Sequence, residues 1–138
     1  MSNIISKALD ELNKLNEQQL NEMARVGYAD GYEIFVNTND GGKIPHFHFR
    51  DGKEWDKFHT CIKITEPSYF HHEGKTDVLN SYQKKELQKF MTSKVSLPKY
   101  KDKFVNNWEL VCFLWDMNNS DVSIPDDISQ PDYTKLQT

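Results

Sequence analysis

The sequence predicts a small α+β domain, a three-stranded antiparallel meander with an N-terminal helix and two C-terminal helices packed on one face. Three observations carry this. Helical periodicity marks both ends of the chain. Strand formers in two-residue alternation fill residues 31–65, and turn signals divide that stretch at short intervals. The 138 residues make one domain's length, and eight Phe, six Tyr and three Trp within a 37% hydrophobic composition can fill one core.

Residues 4–25 read as helix, because Ile5, Leu9 and Leu12, then Leu20, Met23 and Ala24, recur at helical spacing. Asn16 with Gln19 resembles a capping box restarting the helix after a small break, and Gly27 is the expected stop. "GYEIFVNT" (31–38) is the first expected strand and "NDGG" (39–42) its turn. "KIPHFHF" (43–49) is the second, with Pro45 near its start or at an edge because proline cannot donate to a ladder. "RDGKE" turns the chain into the third strand, "KFHTCIKIT" (57–65), and "EPSYFHHEGK" (66–75) is a loop.

Asn80 with Gln83 marks the next helix start, and Tyr82, Leu87, Phe90 and Met91 its buried side, up to about Ser93. Pro98 separates it from a last helix over 101–117. There Phe104, Trp108, Val111 and Trp115 form a stripe expected to face the sheet, with the Trp108 indole N–H finding a partner inside. A second stripe, Leu110, Leu114 and Met117, reads as a surface for a protein partner or a homodimer.

The domain is expected to span 1–118, with an acidic tail over 119–138. Residues 116–138 hold five aspartates against one lysine, net −4, which equals the charge of the whole chain. Residues 84–103 carry seven lysines against Glu86 and Asp102, net +5. Lys84, Lys85, Lys89, Lys99, Lys101 and Lys103, with Tyr100 and Phe104 interleaved, are the candidates for nucleic-acid contact; the plainer reading is a solvated face. The tail lacks periodicity, yet Val122, Ile124, Ile128, Tyr133 and Leu136 could anchor it. It is expected to fold back over the basic block or last helix, burying Ile124 or Ile128 and Tyr133, with its aspartates in solution near lysines.

No apolar run approaches the roughly 20 residues of a membrane span, and the N-terminus has no signal-peptide pattern, so a cytoplasmic protein without membrane contact is expected. Two cysteines are too few for a disulfide scaffold.

The chemistry concentrates in "KIPHFHFRDGKEW" (43–55). Strand alternation puts His46 and His48 on one face and Phe47 and Phe49 on the other, the Phe face meeting the helices and the His face turned to solvent or a groove. On the following strand His59 and Cys61 share a face opposite Phe58, Ile62 and Ile64. A pairing that sets residue 46 opposite 59 gathers His46, His48, His59 and Cys61 on one outer face, a set with the donor types for zinc, with His71 or His72 as a distant helper. The plainer reading is an ordinary half-exposed sheet with no cofactor. Arg50 continues the His face and with the two histidines could bind phosphate or serve catalysis; the plainer reading is a turn pair with Asp51 or Glu54. Known histidine motifs do not fit. The histidine-triad hydrolases need a third histidine where Arg50 stands, cupins need a nearer carboxylate than Glu54, and the two-histidine phosphoesterase repeat is absent.

Pro45-His46-Phe47-His48 after a strand and turn, and Asn107-Trp108-Glu109 near the C-terminus, resemble the small bacterial DUF4160 domains over about residues 30–110. Phe49 stands where that family has Val, and the N-terminal helix, the lysine block and the tail look like additions. The resemblance implies a bacterial or phage component of toxin–antitoxin type and assigns no residue a role. The leading expectation is therefore a binding or regulatory protein acting through a protein interface, not an enzyme. The alternative is a metal- or phosphate-dependent hydrolase or nuclease built on His46, His48, Arg50 and His59.

Overall fold

The computed structural model describes residues 25–37, 44–71, 75–119 and 122–137. Four strands, β1 (Arg25–Ala29), β2 (Tyr32–Phe35), β3 (His46–Asp51) and β4 (His59–Lys63), form one antiparallel sheet in that order. Helices α1 (Ser81–Thr92) and α2 (Asn107–Asn118) follow, then a 3-10 turn at Tyr133–Lys135. The class is α+β as expected, with four strands rather than three.

The additional strand is β1. The helix expected over 4–25 lies outside the described residues except for Arg25, and Arg25 already belongs to a strand. Gly27 is no helix stop. It sits at a register shift in β1, and a Cβ there would come within 2.9 Å of the Phe90 ring of α1, so the missing side chain lets helix and strand approach. Asp30 and Gly31 both have positive φ, 49° and 84°, between the paired Ala29 and Tyr32. This is the primed two-residue hairpin that Asp-Gly favours, because its twist matches that of the flanking strands. The expected turn at 39–42 falls outside the described residues.

The sheet's inner face carries Ile34, Phe47, Phe49, Ile62 and Ile64, all fully buried in the main core with Leu87, Met91, Val111 and Trp115 from the helices. Trp108 packs there as expected, its indole N–H donating to the Ile64 carbonyl at 3.0 Å. The free edge of β4 is covered by the strap that follows it. Lys63 N–H donates to Ser68 O, Phe70 N–H to Cys61 O and Asp77 N–H to His59 O, so the ladder donors and acceptors find partners without another strand.

Helix α1 begins as the sequence indicates, with Asn80 and Gln83 exchanging side-chain and backbone bonds in a capping box. Tyr82, expected on its buried side, is exposed; Gln83 is buried instead and donates to the Tyr32 hydroxyl at 2.8 Å. Helix α2 begins at 107, not 101, because the Asn106 side chain accepts from Glu109 N–H and ends the preceding turns. Phe104 therefore lies ahead of the helix, half-buried against Tyr100 and Phe113.

The second stripe of α2 is not a free surface. Leu110 and Leu114 are buried in the chain's own core, and only Met117, 63% exposed, remains outside. The helix is apolar over most of its circumference because the molecule covers it over most of its circumference. Part of that cover is the tail, which folds back. Ile124, Tyr133 and Leu136 are buried and Ile128 is partly buried. Tyr133 N–H donates to Gln88 Oε1, its hydroxyl donates to Ile64 O, and Lys84 donates to Leu136 O. Among the described residues no ion pair joins the tail aspartates to the lysine block, so apolar anchors and hydrogen bonds hold the tail.

Two outcomes are expected. Phe47→Ala should lower the unfolding free energy in urea by about 3–5 kcal/mol, the usual loss for a buried aromatic. Burial also raises the Tyr133 hydroxyl pKa well above its usual 10.0. A raised folded-state pKa gives stability that is fully present below the unfolded value and lost as pH rises through the alkaline range. Thermal stability should therefore fall above about pH 10, and Tyr133→Phe should flatten that decline.

Candidate metal centre

Strand register builds the site. Phe35 pairs with His48 and His48 with Cys61, while Glu33 pairs with Arg50 and Arg50 with His59. His46 pairs with Lys63, so the expected 46–59 pairing is displaced by four residues. A shift of four preserves the faces, since side chains alternate every two. His46, His48, His59 and Cys61 therefore do share the outer face.

That face is not open to solvent as expected: His46, His48 and Cys61 are fully buried. Phe35 stacks on His48 with ring centroids 4.6 Å apart, Phe70 stacks on His46 at 4.6 Å, and Trp115 leans against His46 at 5.3 Å. Of these, Trp115 belongs to the α2 stripe expected to face the sheet, while Phe35 and Phe70 were not singled out in the sequence. Alternation along "GYEIF" could have placed Phe35 on the His face; nothing local could have placed Phe70 or Trp115 there.

The donor atoms of His46, His48 and Cys61 all lie within 4.8 Å of one another. His48 Nδ1 is 3.4 Å from Cys61 Sγ and 2.9 Å from His59 Nε2. Tetrahedral zinc with ordinary bond lengths separates two nitrogens by about 3.3 Å and a nitrogen from a sulfur by about 3.6 Å. The His48–Cys61 spacing needs only a small adjustment to reach the second of these values, whereas the His46 donor is placed within 4.8 Å of the other two. His46 Nδ1 lies 2.8 Å from Ile44 O, and a carbonyl can only accept, so the ring proton sits on Nδ1. That leaves the Nε2 lone pair for a metal, the backbone-oriented arrangement usual for ligating histidines. A neutral-imidazole and thiolate set suits zinc or copper and does not suit magnesium or calcium, which take oxygen donors.

The other candidates disperse. His71 is exposed, stacked on Tyr69 at 5.0 Å, and takes no part in the cluster; His72 lies outside the described residues. Cys112, half-buried on α2, has its thiol pushed up to about 12 by burial and then by Asp116 and Glu109, which leaves it a protonated thiol at neutral pH. Lys84 is engaged with the tail, while Lys85, Lys89, Lys99, Lys101 and Lys103 are exposed on α1 and the following turns. None of these lysines faces the histidines across the sheet.

Arg50 pairs with neither Asp51 nor Glu54. Its guanidinium donates to Glu33 Oε1 at 2.7 Å and lies between the rings of Phe35 and Trp55, 4.2 and 3.9 Å from their centroids. Arg25 donates to the other Glu33 oxygen at 2.8 Å. The Asp51 carboxylate instead accepts from Lys53 and Glu54 N–H, and those bonds hold its pKa below the usual carboxylate value. With its guanidinium occupied, Arg50 closes one end of the His face. Glu33→Ala leaves two guanidiniums without their shared carboxylate. Because Arg25 remains partly hydrated, the expected loss is about 2–3 kcal/mol in denaturant unfolding, the lower end for a broken buried pair.

No helix among the described residues is long and apolar enough to cross a membrane. Comparison with known proteins finds no matching family model, no matching curated protein and no matching solved structure.

Proposed function

We propose that this is a transition-metal-binding protein, with zinc as the first ion to consider, held through His46, His48 and Cys61. The observation that carries the reading is the convergence of three buried donors from adjacent strands, within 4.8 Å of one another. Two further features support it. His46 presents a lone pair by its bond to Ile44 O, and a buried thiol beside imidazoles can ionise when a cation compensates its charge.

Burial favours an ion that ties β3 to β4 over one that meets a large substrate. The three donors are fully covered, so a polynucleotide or peptide could not reach the ion without displacing the packing over it. This sets the metal-binding reading ahead of the hydrolase reading. It also stands ahead of the interface reading, whose residues Leu110 and Leu114 are occupied within the chain.

The test is metal analysis after equilibration with zinc and removal of free ion. The expected result is about one ion per chain, lost in Cys61→Ser and His48→Ala variants that retain the wild-type far-ultraviolet circular dichroism. At free zinc a thousandfold above Kd, the folded state should gain about 4 kcal/mol, seen as a higher Tm that chelator reverses. Wild-type protein that binds neither zinc, cobalt nor copper at micromolar concentration would overturn the proposal.

A further inference from the structure

We infer that the cleft between α2 and the returning tail is a binding site for a small organic ammonium ion, an amine carried on an apolar or aromatic body. The inference is independent of the metal-binding reading. The cleft has a volume of about 360 Å³, within the range of small-molecule sites.

Helical spacing builds one wall. Trp108, Cys112 and Asp116 follow one another at four-residue steps, with Glu109 beside them, so they share one face of α2. Phe104 extends that wall ahead of the helix. The tail builds the other wall with Ile124, Pro125, Asp126 and Ile128. Asp116 ties the two together, its Oδ1 accepting from Ile124 N–H at 2.9 Å. The cleft therefore exists only because the tail folds back.

The lining combines two properties, and together they select the ligand. Phe104, Trp108, Ile124 and Ile128 offer apolar surface to a hydrocarbon, and aromatic rings also favour a cation beside them. Three carboxylates, Glu109, Asp116 and Asp126, border that surface, and no lysine or arginine does. Among the described residues neither Glu109 nor Asp126 is ion-paired. Cys112, in the middle of the wall, feels this field: after burial, Asp116 and Glu109 both add to the rise of its thiol pKa. An anion would meet like charge on both walls. A bare metal ion is disfavoured because the three carboxylates do not converge as the donors of the His46, His48 and Cys61 cluster do. An ammonium group on an apolar body meets both the charge and the hydrocarbon.

Phenethylamine, a cation at neutral pH, is the probe. Phenylpropionate is the anion of similar size and phenethyl alcohol the neutral control. Each is titrated into the full chain, labelled for amide NMR. Phenethylamine should shift the signals of Trp108, Cys112, Ile124 and Ile128 with a Kd in the millimolar range or tighter, as so few ligand atoms allow. Phenethyl alcohol should bind more weakly, and phenylpropionate should leave those signals in place. Glu109→Gln and Asp126→Asn, which keep the Asp116 tie, should each weaken amine binding about threefold, the usual worth of a solvated charge pair, and together about tenfold. Should a variant disturb the ligand-free spectrum, salt gives the same reading in wild type: added sodium chloride should weaken the amine and leave the alcohol unchanged. Equal binding of amine and carboxylate, an affinity untouched by salt and by the double variant, or shifts confined to other parts of the chain would overturn the site. So would phenethylamine that moves none of these signals at tens of millimolar.

Discussion

Burial of β3 on both faces is the constraint from which the rest of the structure follows. Residues 46–49 alternate His, Phe, His, Phe, and all four are without solvent exposure. One face meets the helices and the other is sealed by aromatic rings. A strand buried on both sides must satisfy every polar atom internally, because water is absent and an unmet donor or acceptor costs roughly 1–3 kcal/mol. Its backbone is met by β2 and β4. Of its imidazole nitrogens, His46 Nδ1 is met by the Ile44 carbonyl and His48 Nδ1 by His59 and the Cys61 sulfur. The same contacts that make the histidines tolerable inside the protein bring the donor atoms together.

The charged end of the outer face obeys the same rule. Glu33 is buried on β2 between β1 and β3, and Arg25 and Arg50 each bond one of its oxygens. The phenyl ring of Phe35 and the indole of Trp55 then cover the Arg50 guanidinium. Polar residues on this face are thus arranged in two connected groups, one of imidazoles and a thiol, one of arginines and a carboxylate, with Phe35 contributing to both. Shielding by Phe35 keeps each group's interactions in a medium where they are stronger than in water.

The helical side shows why net charge is a poor guide to how the tail is held. Opposite charges on tail and lysine block suggested attraction, but exposed ion pairs are worth roughly 0–1 kcal/mol and salt screens them. What orders the tail is the insertion of Ile124, Tyr133 and Leu136 into the core, with the Tyr133 hydroxyl and the Trp108 indole converging on the Ile64 carbonyl. That carbonyl lies just past the end of β4, so the tail, α2 and the sheet meet at one acceptor.

The sequence by itself determined the α+β class, the antiparallel order of the histidine strands, the start of α1 at Asn80 and the sharing of one sheet face by His46, His48, His59 and Cys61. Each of these depends on local chemistry: a capping side chain bonding three residues on, or alternation with period two, which survives the four-residue error in register. Strand β1 was also legible, through Asp30-Gly31, but the helical period assigned up to residue 25 concealed it. Tertiary structure alone decided which surfaces are covered. A histidine is neither apolar nor firmly charged, so alternation of His with Phe reads equally as a half-exposed strand or a fully buried one. The choice is made by Phe70 and Trp115, both distant in sequence from the histidines: Phe70 carries no local sign of where it packs, and the helical stripe of Trp115 tells that it faces the sheet but not that it reaches His46. The second stripe of α2 was misread for the same reason. Hydrophobicity tells that Leu110 and Leu114 must be buried, and only the path of the rest of the chain tells by what.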